Sequence, residues 1–68
     1  MWLEARTAPF NIDLELAVID HTGLHVLEGP YRRLLGGWLN TRTDRWLEVL
    51  PTHWRPWDGN DRRLSGKA

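Results

Sequence analysis

The sequence predicts an all-β domain: a small five-strand antiparallel meander rolled into an SH3-like barrel or an open roll. Three observations predict it. Ile12 to Ile19 alternates apolar and polar residues with the two-residue period of a half-buried strand. Turn signals at Asp20-His21-Thr22-Gly23, Gly29-Pro30 and Gly36-Gly37 cut the residues that follow into short segments. No segment sustains a helical period, and the one tempting run, Arg42 to Leu50, is short and closed by Pro51.

In chain order, residues 1–9 form an N-terminal arm with no sustained period, and Pro9 discourages helix before it. Trp2, Leu3 and Phe10 are apolar enough to dock this arm onto a single domain spanning residues 10–57. In the first strand Ile12, Leu14, Leu16 and Val18 point to the core, while Asp13 and Glu15 point away. A type I turn with a glycine bulge at residues 20–23 pairs Val18 with Val26 and sets Leu24 and Val26 beside Leu16. The reverse face of that hairpin carries Ala17, Ile19 and Leu27. It is more apolar than a water-facing sheet should be, so the arm, the C-terminal segment or a second subunit is expected to cover it.

Pro30 favours an edge or a strand start. Tyr31 to Leu35 reads as the third strand, Gly36-Gly37 as a two-residue turn, and Trp38 to Thr41 as the fourth strand. A turn around residues 42–45 leads to the fifth, Trp46 to Leu50. An even-length loop there groups Trp38, Leu47 and Val49 on one face, and an odd-length loop swaps the assignment; the residues leave both open. Residues 58–68 are polar and turn-rich and read as a disordered tail.

Sixty-eight residues allow one domain at most. A chain this short buries a modest share of its surface, and without cysteine it has no disulfide to compensate. Its five tryptophans, Trp2, Trp38, Trp46, Trp54 and Trp57, are therefore expected to supply much of the core. Burying one indole removes roughly 200 Å² from water, worth about 5 kcal/mol. The absence of cysteine also fits a reducing compartment. No basic-then-apolar leader and no bilayer-length apolar run is present, so a cytoplasmic location and no membrane partner are expected.

Chemistry is thinly provided. Ser65 is the sole serine and lies in the tail segment, so serine and cysteine triads are unavailable. Carboxylates are scattered along outer faces, and Gly36-Gly37 is explained by a turn, not by a phosphate loop. His21, His25 and His53 do not have the spacing of a zinc site. The sequence thus predicts no catalytic residue, no cofactor, no metal and no enzyme activity.

The segment Pro51-Thr52-His53-Trp54-Arg55-Pro56-Trp57, together with Leu14 to Asp20 and Gly37-Trp38, resembles a group of short uncharacterised bacterial proteins. These share an L-E-L-A-V-I-D strand, a central G-W and a closing P-T-H-W-R. The close is also similar to the T-H-W-M-P-L-P ending of a phage- and bacteria-encoded domain of unknown function. The resemblance spans about residues 9–57 and implies a compact sheet domain. It implies no activity and transfers no site residue.

Two binding readings remain. The first is a protein-interaction module, contacting a second copy of itself or an unidentified protein partner. Its candidate surface is either the loop residues His53, Trp54 and Arg55, held between Pro51 and Pro56, with Trp57 just beyond, or the outer patch Ala17, Ile19 and Leu27. Within that loop, Trp54 is better suited to plugging the barrel and Trp57 to standing exposed. The second is weak nucleic-acid binding through Tyr31, Arg33 and Arg55, in a sequence where eight of the nine basic residues are arginine. Nine acidic residues cancel the nine basic ones, which argues against strong phosphate affinity. Arg32 and Arg33, adjacent on a strand, also face opposite ways.

Overall fold

A computed structural model describes residues 1–58. Six antiparallel strands form one open sheet: β1 (Leu3–Glu4), β2 (Asp13–Asp20), β3 (Gly23–Leu34), β4 (Gly37–Asn40), β5 (Arg45–Trp46) and β6 (His53–Pro56). Their order across the sheet is β1-β6-β2-β3-β4-β5. A single 3-10 turn, Ala5–Thr7, follows β1. The all-β class agrees with the sequence, while the simple meander does not. The chain meanders from β2 to β5, then returns so that β6 lies between β1 and β2.

That return was not expected, because Pro51 and Pro56 suggested a loop. The residues between them alternate all the same. Trp54 faces the core opposite Leu16, while His53 and Arg55 face outward opposite Ala17 and Glu15. The two prolines bracket the strand without interrupting its ladder. Of the tail expected over residues 58–68, all but the first residue lies outside the described residues.

The hydrophobic centre is small. Leu14 and Leu16 are wholly buried, with Ala8, Tyr31 and Trp54 around them and Leu27, Trp38 and Leu47 packed at the margin. Of the four aliphatics expected to point inward, Leu14 and Leu16 are wholly buried and Val18 shares their face. Ile12 is 50% exposed because β2 begins only at Asp13, after Asn11 turns the chain through a φ of 66°. Val18 is half-buried. The indoles fill less of the interior than expected: Trp54 is buried, Trp2, Trp38 and Trp57 are half-buried, and Trp46 is exposed.

Loop lengths account for the remaining differences. The first hairpin has a two-residue loop, His21-Thr22, so Val18 lies opposite His25 and Ala17 opposite Val26. One residue fewer in the loop sends Leu24 and Val26 to the outer face, and neither packs beside Leu16. Leu27 instead lies opposite Leu16, on the core face. The second hairpin turns at Leu35-Gly36, with Leu34 opposite Gly37. The loop between β4 and β5 has even length, because Leu39 pairs with Trp46. Beyond Trp46 the expected fifth strand stops: the Leu47 N–H bonds Trp38 O at 2.8 Å, and Val49 and Leu50 are exposed.

The expected second and third strands are one strand, β3, kinked at Glu28-Gly29-Pro30. Between Leu14 and Leu16, β2 advances two residues while β3 advances four, from Tyr31 back to Leu27. Asn40 is built into the kink. It is buried, its Nδ2 donates to Glu28 O at 3.2 Å, and its Oδ1 accepts from the N–H groups of Arg42 (2.8 Å) and Thr43 (3.0 Å).

Arg33 fastens the N-terminal arm. Its guanidinium stands 4.5 Å from the Phe10 ring centre and 5.4 Å from that of Trp38, and Nη1 donates to Ala8 O at 2.7 Å and Arg6 O at 3.3 Å. Arg33→Met keeps the stem but removes the donors. The variant is expected to lose about 1–2 kcal/mol and to be cut by trypsin after Arg6 several-fold faster, as electrophoresis of a digestion series would show. An unchanged cutting rate would mean that the arm is held by other contacts.

Candidate interaction surface

The β2–β3 hairpin projects beyond the rest of the sheet. β6 pairs with β2 only from Leu14 to Ala17, and β4 pairs with β3 only from Tyr31 to Leu34. Cross-strand partners share a face, so the pairs Ala17–Val26 and Ile19–Leu24 place all four side chains on the outer side of this projection. Ala17 is buried at the floor, while Ile19, Leu24 and Val26 are 37%, 51% and 45% exposed. His53 flanks the patch opposite Ala17, with Nδ1 2.8 Å from Thr52 Oγ1. A shallow groove continues from Val26 past Glu28 toward Arg42 and Trp57.

The structure brings together only some of the residues singled out from the sequence. Ala17, Ile19 and His53 belong to the outer face, and Trp57 forms a wall of the adjoining groove. Leu27 faces the core, and Trp54 is a core residue whose Nε1 donates to Thr7 Oγ1 at 3.0 Å. Arg55 is engaged locally, its Nε donating to Glu15 at 2.6 Å and its guanidinium 4.2 Å from the Trp2 ring centre. Tyr31 is buried, Arg33 holds the arm, and Arg55 lies on the opposite face, so these three share no surface. Leu24 and Val26 were missed. The signal that could have found them was the choice between a two- and a three-residue loop, which Asp20-His21-Thr22-Gly23 permits either way.

No protein-family model, curated protein or solved structure matches the chain. The reading of the surface therefore rests on its own geometry.

The hairpin tip holds the nearest approach to a catalytic cluster. Thr22 Oγ1 donates to Asp20 Oδ1 at 2.6 Å and lies 2.7 Å from His25 Nε2, and that same ring nitrogen is 3.4 Å from Asp20 Oδ1. A relay needs hydroxyl and carboxylate on different imidazole nitrogens. Here both meet Nε2, so the trio braces a turn and lacks that relay arrangement. Among the described residues, no group of three or more His, Cys, Asp or Glu side chains could hold a metal ion, and no helix is long and apolar enough to cross a membrane.

The Thr22 hydroxyl, then the Thr22 N–H at 2.8 Å, and more weakly His25, hold the Asp20 carboxyl below its ordinary value. A depressed acid stabilises the fold above its unfolded-state value, and that contribution fades as pH falls through the lower folded-state value. Asp20 is accordingly expected to titrate below the ordinary aspartate range in a carboxyl-detected NMR series. Thr22→Val should move it back toward ordinary aspartate behaviour. An Asp20 that titrates normally in the unsubstituted protein would show that the turn is open in solution.

Proposed function

We propose that this chain is a small protein-interaction module without catalytic activity, whose contact surface is the outer face of the β2–β3 hairpin. The observation that carries the reading is the exposure of Ile19, Leu24 and Val26 side by side on one sheet face, where only two large aliphatic side chains among the described residues are wholly buried. Apolar side chains grouped on an outward face are what a contact surface requires, whereas scattered ones are ordinary. A chain without cysteine needs no oxidising compartment, which supports a cytoplasmic setting.

The triple variant Ile19→Ser, Leu24→Ser, Val26→Ser tests the assignment. If the face serves contact, the variant should keep its thermal midpoint within a few degrees and lose most of the fluorescence that anilinonaphthalene sulfonate gains on the unsubstituted protein. A midpoint lowered by more than about 10 °C, some 1–2 kcal/mol for a domain this size, would make these residues part of the fold and remove the reading.

A further inference from the structure

The two long sides of the hairpin end differently. Along β2 the ladder is closed by Thr52, whose N–H donates to Ala17 O at 3.0 Å and whose Oγ1 accepts from the Ile19 N–H at 2.8 Å. Along β3 nothing comparable is present among the described residues. β4 begins its pairing at Tyr31, and the Asn40 side chain reaches only as far as Glu28 O. From Gly23 to Leu27, β3 therefore has a strand partner on one side alone. In an antiparallel ladder every second residue turns its N–H and C=O away from the partner, so this edge offers a row of backbone donors and acceptors to solvent.

Sheet edges are ordinarily blunted by brevity, charge, proline or a bulge. The two outermost strands, β1 and β5, are two residues long. The stretch Gly23-Leu24-His25-Val26-Leu27 contains no Lys, Arg, Asp, Glu or Pro, and the first acid and first bulge come at Glu28 and Gly29. The longest open edge of the sheet is thus the least protected.

We propose that this edge pairs antiparallel with the same edge of a second copy of the chain, about a two-fold axis between the two His25 residues. The proposal rests on the interaction reading above and names its partner. The register is self-complementary. Centred on His25, it sets Leu24 of each copy opposite the partner's Val26, so two exposed aliphatics per copy become a cluster of four on one continuous face. The same register sets Gly23 of each copy opposite the partner's Leu27 and brings the exposed His21-Thr22 tip beside the partner's Glu28, an acid with no ion pair of its own among the described residues, so imidazole meets carboxylate at each end of the pair. The net charge of zero leaves no overall repulsion for the pair to overcome.

The absence of cysteine allows a clean test. Directly opposed antiparallel residues have Cα atoms about 4.5–5.5 Å apart, within the span of about 4.4–6.8 Å that a disulfide bridges. Under mild oxidation His25→Cys is expected to link two copies at least roughly tenfold faster than Leu35→Cys, whose turn lies far from the axis, because pairing raises the local thiol concentration. A mixture of Leu24→Cys and Val26→Cys should link across the pair faster than either links to itself. Val26→Lys should turn a sedimenting dimer into a monomer with unchanged circular dichroism. His25→Cys linking no faster than Leu35→Cys, while the unsubstituted protein still sediments as a dimer, overturns the edge and spares the interaction reading. A chain that stays monomeric at millimolar concentration overturns self-pairing. If the triple serine variant also melts early at a concentration where the unsubstituted protein is monomeric, the interaction reading falls with it.

Discussion

Alanine at Leu16 is expected to remove about 3–5 kcal/mol of stability. The side chain is wholly buried, with Leu27 opposite it on β3 and Trp54 opposite it on β6, so truncation leaves a void bordered by three strands. An indole on one side and a kinked strand on the other cannot easily collapse into that space. A domain of 68 residues holds roughly 3–10 kcal/mol in all, so the variant should lose about a third of it or more. Urea titration followed by tryptophan fluorescence reads the loss, with Leu35→Ala, in an exposed turn, as the control expected to change stability by less than about 0.5 kcal/mol. A loss below about 1 kcal/mol at Leu16 would place the core elsewhere.

Gly29→Ala should have the next largest effect, and it should depend on Asn40. Gly29 sits at a φ of 125°, where an L side chain is strained, and a Cβ there would overlap Asn40 Nδ2. A loose amide could step aside. This one is tied at both ends, to Glu28 O and to the N–H groups of Arg42 and Thr43. Relieving the overlap therefore breaks hydrogen bonds at a buried position, and the combined loss is expected at about 2–4 kcal/mol. Asn40→Ala alone should cost about 2–3 kcal/mol by stranding the same partners. The double variant should lose at least about 1 kcal/mol less than the two losses added together, because the overlap no longer exists. Strict additivity in the denaturation cycle would show that the kink and the β4–β5 turn are independent.

These positions also show how far the sequence could be read. Leu14 and Leu16 were legible because a two-residue period has only one buried face, and no tertiary detail changes that. The hairpin loops were not, since Asp20 to Gly23 accommodates two registers, and one residue decides whether Leu24 and Val26 are core or surface. Asn40 and Arg33 gave no local signal at all. Their roles come from carbonyl groups supplied by Glu28 in one case and by Arg6 and Ala8 in the other, and no residue spacing announces such a meeting. Trp54 was legible as a plug, but its strand was not, because the flanking prolines hid an alternation only three residues long. The candidate surface follows the same division. Ile19 could be read from the pattern, and the contribution of Leu24 and Val26 had to wait for the register.

The placement of β6 between β1 and β2 has a consequence for how the chain is made. The segment that covers Leu16 on one flank is synthesised more than thirty positions after it, and Leu3 and Glu4, made earlier, wait longer for the same segment, pairing with Trp54 and His53. While the polypeptide emerges from the ribosome, β2 to β5 can assemble early, but with the aliphatic side of β2 open. Completion awaits the release of His53 to Pro56, and closure over so long an intervening stretch is entropically slow. A nascent polypeptide stalled short of Trp54 would expose Leu14 and Leu16 to whatever binds unfinished proteins.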